Sequence, residues 1–261
     1  MKKHLVIYVS TFGRCCIHTS NAVPIEVGAK NRKNFIYKCR DDNGDNISAE
    51  NEYYGELTGL YYIWKNVNPD SYDYIGFSHY NKKLKVSKKQ IIHYLTDNQG
   101  GWIVASRRRI PPHSDINEWK IFCEVICEKY PEYCNSLFKI YSDDGSSNSC
   151  NPANMFITSK EEFTKYCKFV FGVCAELRLR IGNNQKPKYH KRYCAFLSER
   201  LLSIYLDTWN RNARETKMQY SRRMIVAKIV AEKTRRYKGT KIYDICKRKL
   251  SKYLSISSYR N

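Results

Sequence analysis

Five short apolar runs constrain the chain most: LVIYVS (5–10), AVPIEV (22–27), YIGFS (74–78), WIVAS (102–106) and NMFIT (154–158). Each is rich in β-branched or aromatic residues and ends at glycine or polar residues. Runs this short and this continuous read as strands covered on both faces, as in a largely parallel sheet. The segments between them carry helical spacing. In 51–66, Tyr53, Leu57, Leu60, Tyr61 and Trp64 form one stripe, Asn51 is placed to cap, and Glu52 suits the first turn. Gly55 and Gly59 lie four apart in the same stretch and allow another segment to come close. Ser87 opens a helix to about residue 95, and helical patterns recur over 115–141, 160–181 and 193–209. Strands alternating with helices predict an α/β sandwich. Open sheets of this type bind ligands at the carboxyl ends of their strands. That rule points to Thr11, Gly28 and the group Ser78, His79, Tyr80.

The 261 residues are 42% hydrophobic and 14% aromatic, enough for a sizeable core and too apolar for global disorder. The net charge of +21 is unevenly spread, since 16 of the 46 Lys/Arg but only three of the 25 Asp/Glu fall after residue 210. We therefore expect a body over 1–210 and a basic helical tail over 211–261. Two amphipathic patterns mark the tail. Ile225, Val226, Ile229 and Val230 lie among Arg222, Arg223, Lys228 and Lys233, and Tyr243, Cys246, Leu250, Tyr253 and Leu254 oppose Lys247, Lys249 and Lys252. Such helices either lie on an anionic membrane surface or pack on the body.

The eleven cysteines include no C-x-x-C pair and fall mostly in apolar patterns, so we expect reduced core thiols in a cytoplasmic protein. The N-terminal apolar run is too short for a signal peptide, and no stretch approaches the ~20 apolar residues of a membrane span. The charge and the 22 tyrosines raise nucleic-acid binding as an alternative, but the excess sits in one tail and no RNP, zinc-finger or helix-turn-helix pattern accompanies it. No nucleic-acid partner is expected.

An ordered set of blocks carries a resemblance: PIEVGA (24–29), the 44–66 stretch ending in ELTGLYYIWKN, DYIGFSHY (73–80), NMFI (154–157) and FLSERLLSIYL (196–206). Over about residues 5–207 the chain resembles the bacterial capsular and O-antigen polysaccharide glycosyltransferases catalogued as domain of unknown function 4422. The tail lies outside the resemblance. The resemblance implies a single-domain GT-A-like nucleotide-sugar sandwich. It also implies transfer of galactose or galactofuranose from a UDP-sugar to a lipid-linked saccharide at the cytoplasmic face of the inner membrane, in capsule, O-antigen or exopolysaccharide synthesis.

Such a transfer needs a grip on the nucleotide, charge to meet the leaving diphosphate, a base for the acceptor hydroxyl and a seat for the acceptor. Thr11, Gly28 and Ala29 are candidates for base and ribose. Asp45, Asn46, Asn51, Glu56 and Thr58 are candidates for the donor sugar, with Ser78, Tyr80 and Lys82 completing the donor set. Where a GT-A enzyme usually carries Asp-x-Asp for a divalent metal, this chain reads Ser78-His79-Tyr80, so the sequence itself requires no cofactor. His79, Lys82 and Lys83 can meet the diphosphate directly; a Mn²⁺ or Mg²⁺ site using His79 with Asp143 or Asp144 stays open. The family often shows HYRRY where residues 79–83 read HYNKK, so its arginine roles do not carry over. Glu199 and His79 are the catalytic candidates, with Glu56 the other carboxylate able to serve as base. Glu199 sits in an apolar helix, as a base or as the partner of Arg200, Arg192 or a lysine. Asn154, Met155, Arg192 and Arg200 are candidates for the acceptor. Arg107, Arg108 and Arg109 either bind a lipid-linked pyrophosphate or are simply solvated. A nucleotide-sugar-binding protein without catalysis is the remaining alternative.

Overall fold

The computed structural model describes residues 3–15, 21–183 and 191–234, together with Ile245 and Lys249. The second amphipathic pattern of the tail therefore lies outside the described residues. In chain order the elements are β1 (Leu5–Thr11), β2 (Ala22–Glu26), α1 (Asn51–Tyr54), α2 (Leu57–Asn66), β3 (Tyr74–His79), β4 (Lys82–Leu84), α3 (Lys88–Asp97), β5 (Trp102–Ala105), β6 (Arg108–Ile110), α4 (Ile116–Lys129), α5 (Cys134–Ile140), β7 (Ser147–Cys150), β8 (Phe156–Ser159), α6 (Lys160–Ile181), α7 (Tyr193–Thr208), β9 (Ala213–Thr216), β10 (Met218–Tyr220) and α8 (Arg222–Thr234).

The five apolar runs become the centre of an eight-stranded sheet. β1 pairs in parallel with β2 and β3, β8 lies antiparallel between β3 and β5, and β9 runs parallel beside β5. A ribbon of β4 and β10 extends from the end of β3 through the pair His79–Lys82. Period-two alternation gives both faces a core. Ile75, Phe77, Trp102, Val104 and Phe156 pack with α1, α2 and α4 to α7, whereas Tyr74, Ile103, Ala105 and Ile157 pack with Ile91 and Leu95 of α3. Ser87 starts α3 with a complete capping box to Gln90. This is the GT-A-like α/β arrangement expected.

Four local expectations are corrected. The helix predicted over 51–66 is broken at Gly55 (φ 54°, ψ −129°), and Asn51 is not its cap: its side-chain amide donates to the Gly55 carbonyl and to Thr58 Oγ1 inside the break. The apolar stripe survives because Tyr53, Leu57 and Leu60 stay on the buried side of both pieces. The 115–141 helix is two, α4 and α5, separated at Pro131, which fits the first position of a new turn and not a helix interior. That break brings Cys127 and Cys134 to a Cα separation of 5.0 Å, and they form a disulfide, so the expectation of free thiols fails at this pair. Finally, 213–220 does not leave the body at residue 210 but supplies β9 and β10 to the sheet. These strands are short, polar and lie at sheet edges, so they carry no apolar run.

Candidate active site

At the carboxyl end of β3 the chain places His79 among three charged groups, Lys82, Glu56 and Arg192. His79 is buried, and its Nε2–H donates to the Ala153 carbonyl at 2.7 Å, leaving Nδ1 as the unprotonated nitrogen. Ala153 and Asn154 both hold positive φ (71° and 46°), an unusual pair for residues with side chains. Asn154 is locked there by Tyr166 Oη, which donates to its Oδ1 at 2.6 Å, and by its own amide donating to Ser198 Oγ at 3.0 Å. Burial, with Lys82 nearby, holds the His79 imidazole down at about 4, so the ring is neutral near pH 7.

Glu56 opens α2 just after the Gly55 break. Arg192, from the residue preceding α7, donates from Nη2 to Glu56 Oε2 at 2.7 Å. A Cβ on Gly55 would stand 2.4 Å from that Nη2, so a side chain at position 55 would push the guanidinium aside from its present path to the carboxylate. Gly59 serves a different approach, with Val27 Cγ1 2.7 Å from where its Cβ would be. Burial alone would raise the Glu56 carboxyl, but His79, Arg192, its own backbone and Lys82 outweigh that and hold it below the usual carboxylate range. Arg192 Nε is buried without a hydrogen-bond partner among the described residues. It is a donor left for something else.

Glu199, on α7, is half-buried, and its carboxylate has neither hydrogen bond nor ion pair among the described residues. Arg192 is committed to Glu56. Arg200 donates to the carbonyls of Gly145, Phe196 and Pro111, so the predicted ion pair with either arginine is not formed. Burial and the neighbouring Glu56 charge push the Glu199 carboxyl up, against the pull of Lys82, Arg108 and Arg200. The site thus holds two carboxylates driven apart: Glu56 ionised and neutralised, Glu199 basic and unpartnered. Lys82, at the start of β4, is half-buried, and its ammonium group has no hydrogen bond or ion pair among the described residues.

Other predicted residues are brought near but are structurally committed. Gly28 (φ 62°) and Ala29 are buried, and their N–H groups donate to the two oxygens of Asp41 at 2.8 and 3.0 Å. Ser48 adds a third bond to Asp41. Asp41 was missed because Asp41-Asp42-Asn43-Gly44 has the composition of an exposed turn, and nothing local marks one of its acids as fully buried. Thr11 Oγ1 is bonded to the backbone of Gly13. Ser78 Oγ donates to the Lys82 carbonyl and Tyr80 N to the Ser10 carbonyl, both fixing the β3–β4 turn. Thr58 and Asn51 hold the Gly55 break.

Two groups are not where the sequence put them. Asp45 and Asn46 lie at the opposite end of α2, where Asn66 Nδ2 donates to the Asp45 carbonyl. Ten residues at ~1.5 Å each separate them from Glu56. Met155 is fully buried on the α3 side of the sheet. Asp144 accepts from Ser146 N in its own turn. Among the described residues no three His, Cys, Asp or Glu side chains cluster as a metal site.

Comparison with known proteins places the chain. Residues 6–212 match the family model described as domain of unknown function DUF4422. The chain belongs to that family. Its model ends one residue before β9, so β9, β10 and α8 lie beyond the matched region. No curated protein sequence matches. Among solved structures, the one described as WbbM bifunctional glycosyltransferase, apo, superposes with a TM-score of 0.72 at 20% identity. The alignment covers 84% of this chain and 45% of that one, so the DUF4422 chain spans about half of its structural neighbour and shares its fold.

Proposed function

We propose that this DUF4422 protein is a glycosyltransferase in which Glu199 is the general base. The observation that carries the reading is the split pair at the end of β3, with Glu56 held ionised by Arg192 and Glu199 raised and unpartnered. Divergent carboxylates in one site assign roles, because the raised one is the stronger base and the other is fixed charge. In the step proposed, Glu199 takes the proton of an acceptor hydroxyl and that oxygen bonds the anomeric carbon. The bond from that carbon to the nucleotide diphosphate breaks, and the electron pair leaves with the diphosphate. The charge-assisted hydrogen bond from Arg192 to Glu56 Oε2 weakens that carboxylate as a nucleophile, which favours one displacement with inversion over a covalent intermediate. Lys82 and the free Arg192 Nε would meet the departing charge. His79 acts as a positioning residue, tying β3 to the strained Ala153–Asn154 turn.

A UDP-sugar carrying galactose or galactofuranose, and a lipid-linked saccharide for capsule or O-antigen, are the substrates we assign on family resemblance. The first tail helix supports a membrane-surface setting. α8 exposes Ile225, Val226 and Ile229, and it starts where Ser221 N bonds the Asn81 carbonyl, beside Lys82. No helix among the described residues is long and apolar enough to cross a membrane.

The test is a thermal-shift panel of UDP-, GDP-, CMP- and dTDP-sugars with and without Mn²⁺ or EDTA, followed by transfer assays. At a ligand concentration 100 times Kd, binding stabilises by about 2.7 kcal/mol, which is readily seen. A nucleotide-sugar response with turnover supports the reading. No response to any nucleotide sinks it, and binding without turnover leaves a non-catalytic binder.

A further inference from the structure

A cleft of about 480 Å³ opens beside Glu199, between β6, the segment 111–114 and α7. Its lining includes Arg108, Arg109, Pro111, His113, Phe196 and Glu199. The size is in the range of small-ligand clefts, about 300–1,000 Å³. We propose that this cleft is the acceptor subsite and that it takes an anionic saccharide, whose phosphate or carboxylate is gripped by Arg108 and Arg109. The proposal rests on the transferase reading above and adds to it the acceptor's location and charge.

The three consecutive arginines divide by role. Arg107 is tied to Glu215 through both its backbone N–H and its guanidinium, each at 3.0 Å. The side chains of Arg108 and Arg109 are exposed and have no hydrogen bond or ion pair among the described residues. Neighbours in a regular strand point to opposite faces, yet both line the cleft. The β6–β7 pairing is irregular between Arg108 and Ile110, and such an irregularity re-aims a side chain. Two unpartnered guanidinium groups on one rim are suited to bidentate recognition of phosphate or carboxylate oxygens.

The rest of the cleft is rigid before any ligand arrives. His113 Nε2 and Glu118 Oε2 are 3.0 Å apart and both side chains are buried, while His113 N donates to the Asp144 carbonyl. Arg200 staples Pro111 to Gly145 from below through their carbonyls. Phe196 is half-buried, with the Arg192 guanidinium 5.8 Å from its ring centre, and adds an aromatic side chain to the lining. Glu199 lines this cleft and also feels the charges of Glu56 and Lys82, so it belongs both to the cleft and to the charged group at the end of β3. With the cations of that group left to the diphosphate, the hydroxyl to be deprotonated enters from the arginine side.

The chemistry has two sources: the diphosphate of a lipid carrier, or an acidic sugar in the saccharide. Calorimetry on the full chain would use decyl diphosphate, decyl β-glucuronide, decyl β-glucoside and UDP as probes, with wild type, R108Q/R109Q and K82Q. We expect R108Q/R109Q to weaken one or both charged decyl probes at least tenfold, to leave the glucoside unchanged and to keep UDP binding, with K82Q showing the reverse. Loss confined to the diphosphate identifies the carrier linkage; loss confined to the glucuronide identifies an acidic sugar. Charged probes that bind no better than the glucoside, or that ignore R108Q/R109Q, overturn the proposal. Failure of UDP to bind wild type counts against the transferase reading instead, and the decyl probes still decide the arginine cleft.

Discussion

Glu199 is kept basic at a cost in folding, because its burial and the charge of Glu56 both oppose ionisation. Glu199→Gln removes that cost together with the base. Transfer should fall by about 10²–10⁴, the usual contribution of a positioned proton acceptor. Nucleotide-sugar affinity should be retained and Tm should rise. A Tm that falls together with donor binding would mean that Glu199 is structural. The wild-type acid limb of kcat/KM should lie above the ordinary glutamate range and vanish from the residual activity of the Gln variant. Gly55 is the other decisive position. An alanine there has to hold positive φ and displace the Arg192 guanidinium from its path to Glu56. Gly55→Ala should cost about 1–3 kcal/mol in urea unfolding and weaken donor binding, whereas Gly182→Ala, also at positive φ but with nothing among the described residues within 4 Å of its Cβ, should leave donor binding intact.

At the level of elements, the strands with continuous apolar runs were readable because burial on both faces leaves a mark in every residue. The break between α1 and α2 was not, since the stripe Tyr53, Leu57, Leu60 continues across it and Gly55 resembles a packing glycine. β9 and β10 were hidden for the opposite reason: their ladders are with β5 and β4, distant in sequence, and their residues are polar. The site was half legible. Glu56, His79, Lys82, Arg192 and Glu199 were all candidates, but the assignment of Arg192 to Glu56 depends on a long-range return of the chain. Gly28 and Ala29 looked like ligand contacts because the acid that occupies their N–H groups, Asp41, comes from a loop read as turn. For His113 no sequence signal was present. α8 yields its own prediction. Ile225→Asp with Ile229→Asp should abolish sedimentation with vesicles containing anionic lipid and leave transfer to a soluble acceptor unchanged; unchanged sedimentation would remove α8 from the membrane account.

For the whole molecule, acid sensitivity follows from the same site. His79 is neutral in the fold, held down to about 4, while unfolded histidine titrates near ~6.5. The unfolded chain therefore binds more protons across that interval, and stability falls as pH drops through it. Glu56, depressed in the fold, adds a loss of the same sign as pH falls from the ordinary carboxylate range through its own lower value. Glu199, raised in the fold, works in the opposite sense and regains stability on protonation. His79→Gln should flatten the dependence of Tm on pH between about 6.5 and 4, and a slope as steep as wild type would place its origin elsewhere.

The central claim joins the charged group at the end of β3 and the arginine cleft at one carboxylate, and a crystal structure with a UDP-sugar bound tests it most directly. The account predicts the diphosphate against Lys82 and Arg192 Nε, with the anomeric carbon turned toward Glu199 and the arginine cleft open behind it. A nucleotide seated elsewhere, with Glu199 out of reach of the sugar, would contradict it.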